Sequence, residues 1–318
     1  MKQHLHFLGA ACAAFLFFPT TGFAPPPAAP PRAALWVDAL RGEPLTFDEL
    51  LAELQPARII YLGEYHSIPR HHELETQLLQ DLAGQGRRLV LAMEQFECTA
   101  QPALDQFNAG TLDLPALIAQ SHWDTSWPTH TNYHPLLLAA RQHAIPVLAL
   151  NARSATIRAI GQRGLAELSP AERRELPATL VTDDPLYERL LNRALSVHMA
   201  FDPAKLRPVF EAQVARDETM AARLTAFLNS PAGQGRTALV ICGRGHCEFG
   251  LGTPDRVARR TPGIAQRIVL LSSSGDLTLT EQELKQSRAV DLSHQFLRDL
   301  GRAPADFFHI IQTASPGP

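Results

Sequence analysis

The chain has 318 residues, 45% of them hydrophobic and 19% charged, which excludes a disordered or collagen-like polymer and fits one large globular domain. Twenty-nine basic residues against 32 acidic ones give a formal charge of -3, too even a balance for the electropositive field of a general nucleic-acid or anionic-lipid binder. A chain this long buries enough surface to hold a core unaided, so its four cysteines are not read as a disulfide scaffold.

In chain order, the first segment reads as an export signal. Lys2 precedes an apolar run from Leu5 to Phe18, and Pro19-Thr20-Thr21-Gly22-Phe23-Ala24 follows. Residues 1–24 are therefore expected to be a secretory signal peptide or an N-terminal anchor, and the protein to be periplasmic or membrane-anchored. The run falls short of the about 20 residues that a membrane-spanning helix uses. Cys12 raises lipidation as an alternative; against it, Gly9 stands where lipoprotein signals carry Leu, and most of the apolar run follows Cys12. Residues 25–34, dense in Pro and Ala, read as a stiff spacer. The domain is expected over 35–312, with 313–318 as a tail. Of the remaining cysteines, Cys98, Cys242 and Cys247, the last two flank Gly-Arg-Gly-His. With no second pair at zinc-finger spacing, they read as small buried residues.

Strand and helix patterns then alternate. Arg58–Leu62 is a β-branched apolar run ending at a glycine, and His72–Leu82 places Leu74, Leu78, Leu79 and Leu82 at helical spacing. Arg88–Met93 is a second unbroken strand ending at Glu94, followed by a helical stretch through Leu104 and Phe107. Leu136–His143 leads into a strand at Pro146–Leu150. Between Ser154 and Leu228 no strand is expected; Leu186–Met199 and a stretch starting after Pro208, Val209–Leu228, read as helices of an inserted helical subdomain. Thr237–Cys242 and Gln266–Leu271 complete the strands, with Asp306–Gln312 as an edge strand. Unbroken apolar strands alternating with helices predict an α/β fold, a mostly parallel sheet flanked by helices.

Ligands of such sheets bind beyond the carboxyl ends of the strands, so polar residues just after apolar runs carry the functional expectation. Two segments share the form Gly-x-x-His after a strand: Gly63-Glu64-Tyr65-His66 and Gly243-Arg244-Gly245-His246. Glu94 ends a third strand. Glycine permits a tight turn there, and imidazole can hold a metal, take a proton or bond a ligand. Ionisable groups gathered without a use cost stability, which favours one shared site. His71 and His72 open a helix after Ile68-Pro69 and read as solvated first-turn residues with ligand binding as the alternative.

The run Tyr61 to His72, then Leu91-Ala92-Met93-Glu94-Gln95-Phe96, resembles the opening of the ChaN family in the haem-binding uptake, Tiki superfamily. Gln213–Ala221 resembles that family's central helix, and Gly243–His246 through Gly250–Pro254 its late glycine-histidine loop; the likeness runs over roughly residues 35 to 312. It implies an α/β domain with a helical subdomain, haem binding, often as a homodimer, and a role in bacterial iron uptake beside a haem transport system. Other members of the superfamily resemble metal-dependent proteases and esterases. Asp306-Phe307 departs from the expected Asp-Tyr and removes one phenol.

Haem needs an axial donor, a flat apolar slot and partners for its propionates. The chain's four tyrosines are Tyr61, Tyr65, Tyr133 and Tyr187. Tyr65 and Tyr133 are the axial candidates, with Tyr61 expected to pack in its strand. His66, His71, His72, Arg244 and His246 complete the cofactor-binding candidates, and Arg70 or Arg153 can also supply positive charge. Trp123 and Trp127 read either as core or as one wall. The enzymatic alternative is a hydrolase using Glu64, His66, Glu94 and His246, either as ligands of a divalent metal ion or with His66 as general base oriented by Glu94. No Gly-x-Ser-x-Gly, P-loop or His-Glu-x-x-His motif occurs, which argues against standard serine hydrolases, nucleotide enzymes and zincins.

Overall fold

A computed structural model describes residues 34–198, 203–272 and 300–311. The signal segment, Cys12, most of the spacer and the tail lie outside them. The strands are β1 (Ala34–Asp38), β2 (Glu43–Leu45), β3 (Ile59–Glu64), β4 (Leu89–Glu97), β5 (Val147–Asn151), β6 (Thr237–Gly243), β7 (Gln266–Leu271) and β8 (Phe307–Ile311). The helices are α1 (Phe47–Leu54), α2 (Pro69–Gly84), α3 (Gln101–Asn108), α4 (Leu114–Ser121), α5 (Trp123–Ser126), α6 (His134–Gln142), α7 (Ser154–Arg163), α8 (Pro170–Arg174), α9 (Pro185–His198), α10 (Pro203–Asn229) and α11 (Thr253–Arg260).

The strands form one sheet in the order β2-β1-β8-β7-β3-β6-β4-β5. From β8 to β5 every pairing is parallel, while β1 runs antiparallel to both β2 and β8. The unbroken apolar runs have a direct cause: helices cover both faces. Ile60, Leu62, Leu91, Met93, Leu239 and Ile241 turn to one face, against Leu78 and Leu79 of α2 and Leu136 and Leu137 of α6. Ile59, Tyr61, Val90, Ala92, Ala238 and Val240 turn to the other, against Met220, Ala221 and Leu224 of α10 and Val257 of α11. The α/β class and mostly parallel sheet are thus as the sequence predicts.

Several boundaries differ from expectation. The C-terminal strand is internal, held between β1 and β7, and Phe307 is buried. The sheet ends instead at β2 and β5, and the short β1–β2 hairpin escapes a reading based on long apolar runs. Ala34 already belongs to β1, so the spacer stops one residue sooner. α10 starts at Pro203 and carries Pro208 inside it, so that proline interrupts the sequence pattern without ending the helix. Among the described residues no strand lies between β5 and β6, and the helices there pack on smaller apolar clusters, one built on Tyr187, Phe210, Val214 and Leu251. No helix among the described residues is long and apolar enough to cross a membrane.

Candidate functional site

Chain order and sheet order diverge around β6, which lies between β3 and β4, so the carboxyl ends of these three strands adjoin. The period-2 alternation of strand side chains then decides which side each end residue serves. Glu64 continues the Ile60–Leu62 face toward α2 and α6. Glu94 continues the Val90–Ala92 face toward α10. Two buried polar clusters result, one on each face, and they meet where His66 crosses the strand ends.

On the α2 side, Glu64 Oε1 accepts from the Tyr133 hydroxyl at 2.6 Å, from Gln95 Nε2 at 2.7 Å and from His66 Nδ1 at 2.8 Å. Burial opposes the charge of Glu64, but the bond and charge of His66, with Glu75 and His72, together outweigh it and its pKa is lowered. Burial and the charges of Glu64 and Glu75 push the Tyr133 phenol far up, so it stays protonated as a donor. His72 Nδ1 lies 3.2 Å from Glu64 Oε2 and 3.3 Å from Glu75 Oε2, while its Nε2 faces the His66 carbonyl at 3.2 Å. Burial, then the Glu64 charge, holds Glu75 well above the usual carboxyl range.

On the α10 side, His246 stands between acids: Nδ1 is 2.8 Å from Asp217 Oδ1 and Nε2 is 3.2 Å from Glu94 Oε1. Burial lowers its proton affinity, yet the Glu94 and Asp217 charges win and raise its pKa to about 10. Glu94 is also buried, and His246 with the Gly243 N–H at 2.7 Å holds it well below the carboxylate range. Asp217 accepts from Tyr187 at 2.7 Å and from Thr253 at 2.8 Å.

At the junction, a Cβ on Gly243 would lie 2.9 Å from His66 Nε2 and 3.7 Å from Glu94 Oε2, so glycine is what lets the two loops close. His66 keeps 36% of its side chain exposed, and Trp127 meets its ring edge-on at 4.9 Å. Burial works against its charge, but Glu64 and Glu94 raise its pKa overall. Beside it, Arg244 donates to the half-buried Tyr65 hydroxyl at 3.0 Å and pairs with Glu248.

Glu64, His66, Glu94 and His246 thus gather as expected, as a chain of paired groups across the strand ends. Among the described residues they do not converge as one metal centre. The three donor groups whose atoms all lie within 4.8 Å of one another are Glu64, His72 and Glu75. His71 and His72 are buried rather than solvated. His71 accepts from the Tyr65 N–H at 3.0 Å through Nδ1 and donates to the Ser272 carbonyl at 3.0 Å through Nε2, which leaves its ring no free nitrogen. Trp123 belongs to the core, stacked on Phe96 at 4.2 Å, whereas Trp127 reaches the mouth. Arg153 is occupied by Glu175, and Cys242 and Cys247 are buried free thiols. Glu75, Gln95, Gln213, Asp217 and Thr253 had no site role in the sequence, although all but Glu75 lie in the segments that carry the family resemblance. Gln213 and Asp217 lie one helical turn apart in α10, and His72 and Glu75 three residues apart in α2, so spacing on one helix face was the available clue.

A doubly covered, mostly parallel sheet with ionisable residues gathered at its strand ends defines an α/β protein with a strand-end site. No curated protein matches the chain significantly. The family model described as "Haem-binding uptake, Tiki superfamily, ChaN" matches residues 50–257, and the chain belongs to that family. Among solved structures, ChaN of Campylobacter jejuni, described with cofacial haem binding, superposes with a TM-score of 0.65 at 19% identity, covering 88% of this chain and 97% of that one. An erythromycin esterase mutant in its open conformation gives 0.43 at 12% identity, covering 74% of this chain and 76% of that one. A Bacillus cereus protein also gives 0.43, at 13% identity and covering 70% and 68%.

Proposed function

We propose that the protein binds haem at the mouth formed by Tyr65, His66, Trp127 and Arg244, and serves haem or iron uptake in the bacterial envelope. The observation that carries this reading is the fate of the tyrosines. Tyr61, Tyr133 and Tyr187 are buried, with hydroxyls committed to Gln266, Glu64 and Asp217, whereas Tyr65 is half-buried and receives a guanidinium N–H at its oxygen. Family membership agrees with it.

The residues present fit the group. Haem, when bound, supplies an iron centre open to an axial donor and two anionic propionates. Tyr65 offers the phenol oxygen, and the guanidinium of Arg244 holds it in place through a hydrogen bond at 3.0 Å. Arg244 is a cation suited to carboxylates, and the raised pKa of His66 favours its charged form beside them. Trp127 gives an aromatic wall. The partial exposure of Tyr65 and His66 suits a second copy of the chain closing over the ligand, and the N-terminal segment suits export to the periplasm, where a haem transport system would be the partner.

Hemin titration of the purified protein tests the reading. A saturable Soret shift is expected, with at least tenfold weaker binding in Tyr65→Phe and little change in Tyr133→Phe. Equal binding by Tyr65→Phe overturns the assignment. A second reading, hydrolysis, draws on one observation: Glu64 holds His66 Nδ1 as a carboxylate orients a general base. Turnover of ester and peptide panels that is unchanged in His66→Ala and Glu94→Ala removes it.

A further inference from the structure

We infer that Glu64, His72 and Glu75 form a buried site for one divalent transition-metal ion between β3 and α2, separate from the mouth at Tyr65. The inference does not rest on the haem reading. His72 and Glu75 are three residues apart on α2 and share the helix face turned to the end of β3. The carbonyl of His66 can only accept, so His72 Nε2 carries the proton there, and the bare Nδ1 points at Glu64 Oε2 and Glu75 Oε2. Three lone-pair donors therefore face one another.

The spacing matches a metal's needs. A tetrahedral ion with bonds of about 2.1 Å holds its ligand atoms roughly 3.4 Å apart, and the two separations from Nδ1 are 3.2 and 3.3 Å. Glu64 is 1% exposed and Glu75 0%, and apart from the hydrogen bond that a protonated Glu75 shares with Glu64, Glu64 Oε2 and Glu75 Oε1 have no partner. Burying two acids with so few partners is costly. Two carboxylates match the charge of a divalent cation. The surroundings also hold the ligands in place: Tyr133, Gln95 and His66 saturate Glu64 Oε1 and so turn Oε2 inward, and the carbonyl fixes the His72 tautomer. One imidazole with two carboxylates suits Zn²⁺ or Mn²⁺ better than Ca²⁺, which takes six to eight oxygens. A surface cleft of about 420 Å³, lined by His72, Thr76, Asn132 and the exposed Glu73, borders the cluster at His72.

The test is metal content and affinity in the full chain without haem. After dialysis against Zn²⁺ and then buffer, elemental analysis is expected to find one ion per chain, and Co²⁺ loading to give visible absorption bands of a nitrogen- and oxygen-ligated ion. Zn²⁺ affinity, read by competition with a chromophoric chelator, should fall at least about tenfold in Glu75→Gln and His72→Gln. Thermal melts and hemin titration of Glu75→Gln monitor its folding and the mouth independently. Wild-type protein that keeps no stoichiometric Zn²⁺, Mn²⁺ or Co²⁺ overturns the inference, whatever the variants do. So does a folded Glu75→Gln that binds Zn²⁺ as wild type does, whether or not haem binds.

Discussion

His246 is caught between two carboxylates inside the protein, and that placement sets a pH dependence. Its folded pKa of about 10 exceeds the ordinary histidine value of about 6.5. The stability this contributes is fully present below about pH 6.5 and is lost as the pH rises through 10. Glu94 is lowered instead, so its share is present above the usual carboxyl range and lost as the pH falls. His246→Gln leaves Glu94 and Asp217 without their buried cation and is expected to cost about 3–5 kcal/mol at pH 6. Urea unfolding at pH 6, 8 and 10 should show the gap to wild type closing as the pH rises; a constant gap would contradict this account. Tyr133→Phe keeps the ring that packs on His72 at 4.3 Å and removes the hydroxyl that donates to Glu64 and lies 3.4 Å from Gln95 Nε2. A hydrogen bond to a charged group is worth about 1.5–3 kcal/mol, and denaturant melts should show that loss. At this scale the sequence revealed Glu64, His66, Glu94 and His246, because each follows an apolar strand. It hid Asp217 and Glu75, which sit inside helices where an acid ordinarily faces water.

Elements place these groups, and glycines at the strand ends decide how closely they approach. A methyl at Gly63 would stand 2.4 Å from Leu270 Cδ2, 2.8 Å from Cys247 Sγ and 3.3 Å from the Arg244 Cα. Gly63→Ala must therefore displace the buried side chains of Leu270 and Cys247, and overpacking of this kind costs about 1–3 kcal/mol. Thermal unfolding should report it. If Gly63→Ala melts with wild type, the loop is looser than described. The strands were legible as unbroken apolar runs because both sheet faces are covered. Helix starts were less so: Pro208 looked like a beginning, yet α10 passes through it. The burial of His71 and His72 was also hidden, since a position after Ile68-Pro69 marks the first turn of a helix and says nothing of what packs against that turn.

Across the whole molecule, β8 joins the parallel sheet to the β1–β2 hairpin. Its residues Phe307–Ile311 pair with Asp38–Ala34 on one side, and Phe307–His309 with Val269–Leu271 on the other. A chain ending at residue 303 loses both ladders, and it is expected to precipitate or melt without a cooperative transition; a soluble truncated chain with a wild-type melt would show the strand to be dispensable. The sequence announced this strand but not its interior place, because pairing partners 270 residues away leave no local mark. The position of β6 has a further consequence. β3 and β4 are neighbours in the chain, yet the strand that must sit between them is synthesised some 140 residues later, so these two strands cannot join the native sheet until it arrives. Maturation should therefore be slow and late, with the sheet closing only once the final third of the chain has emerged.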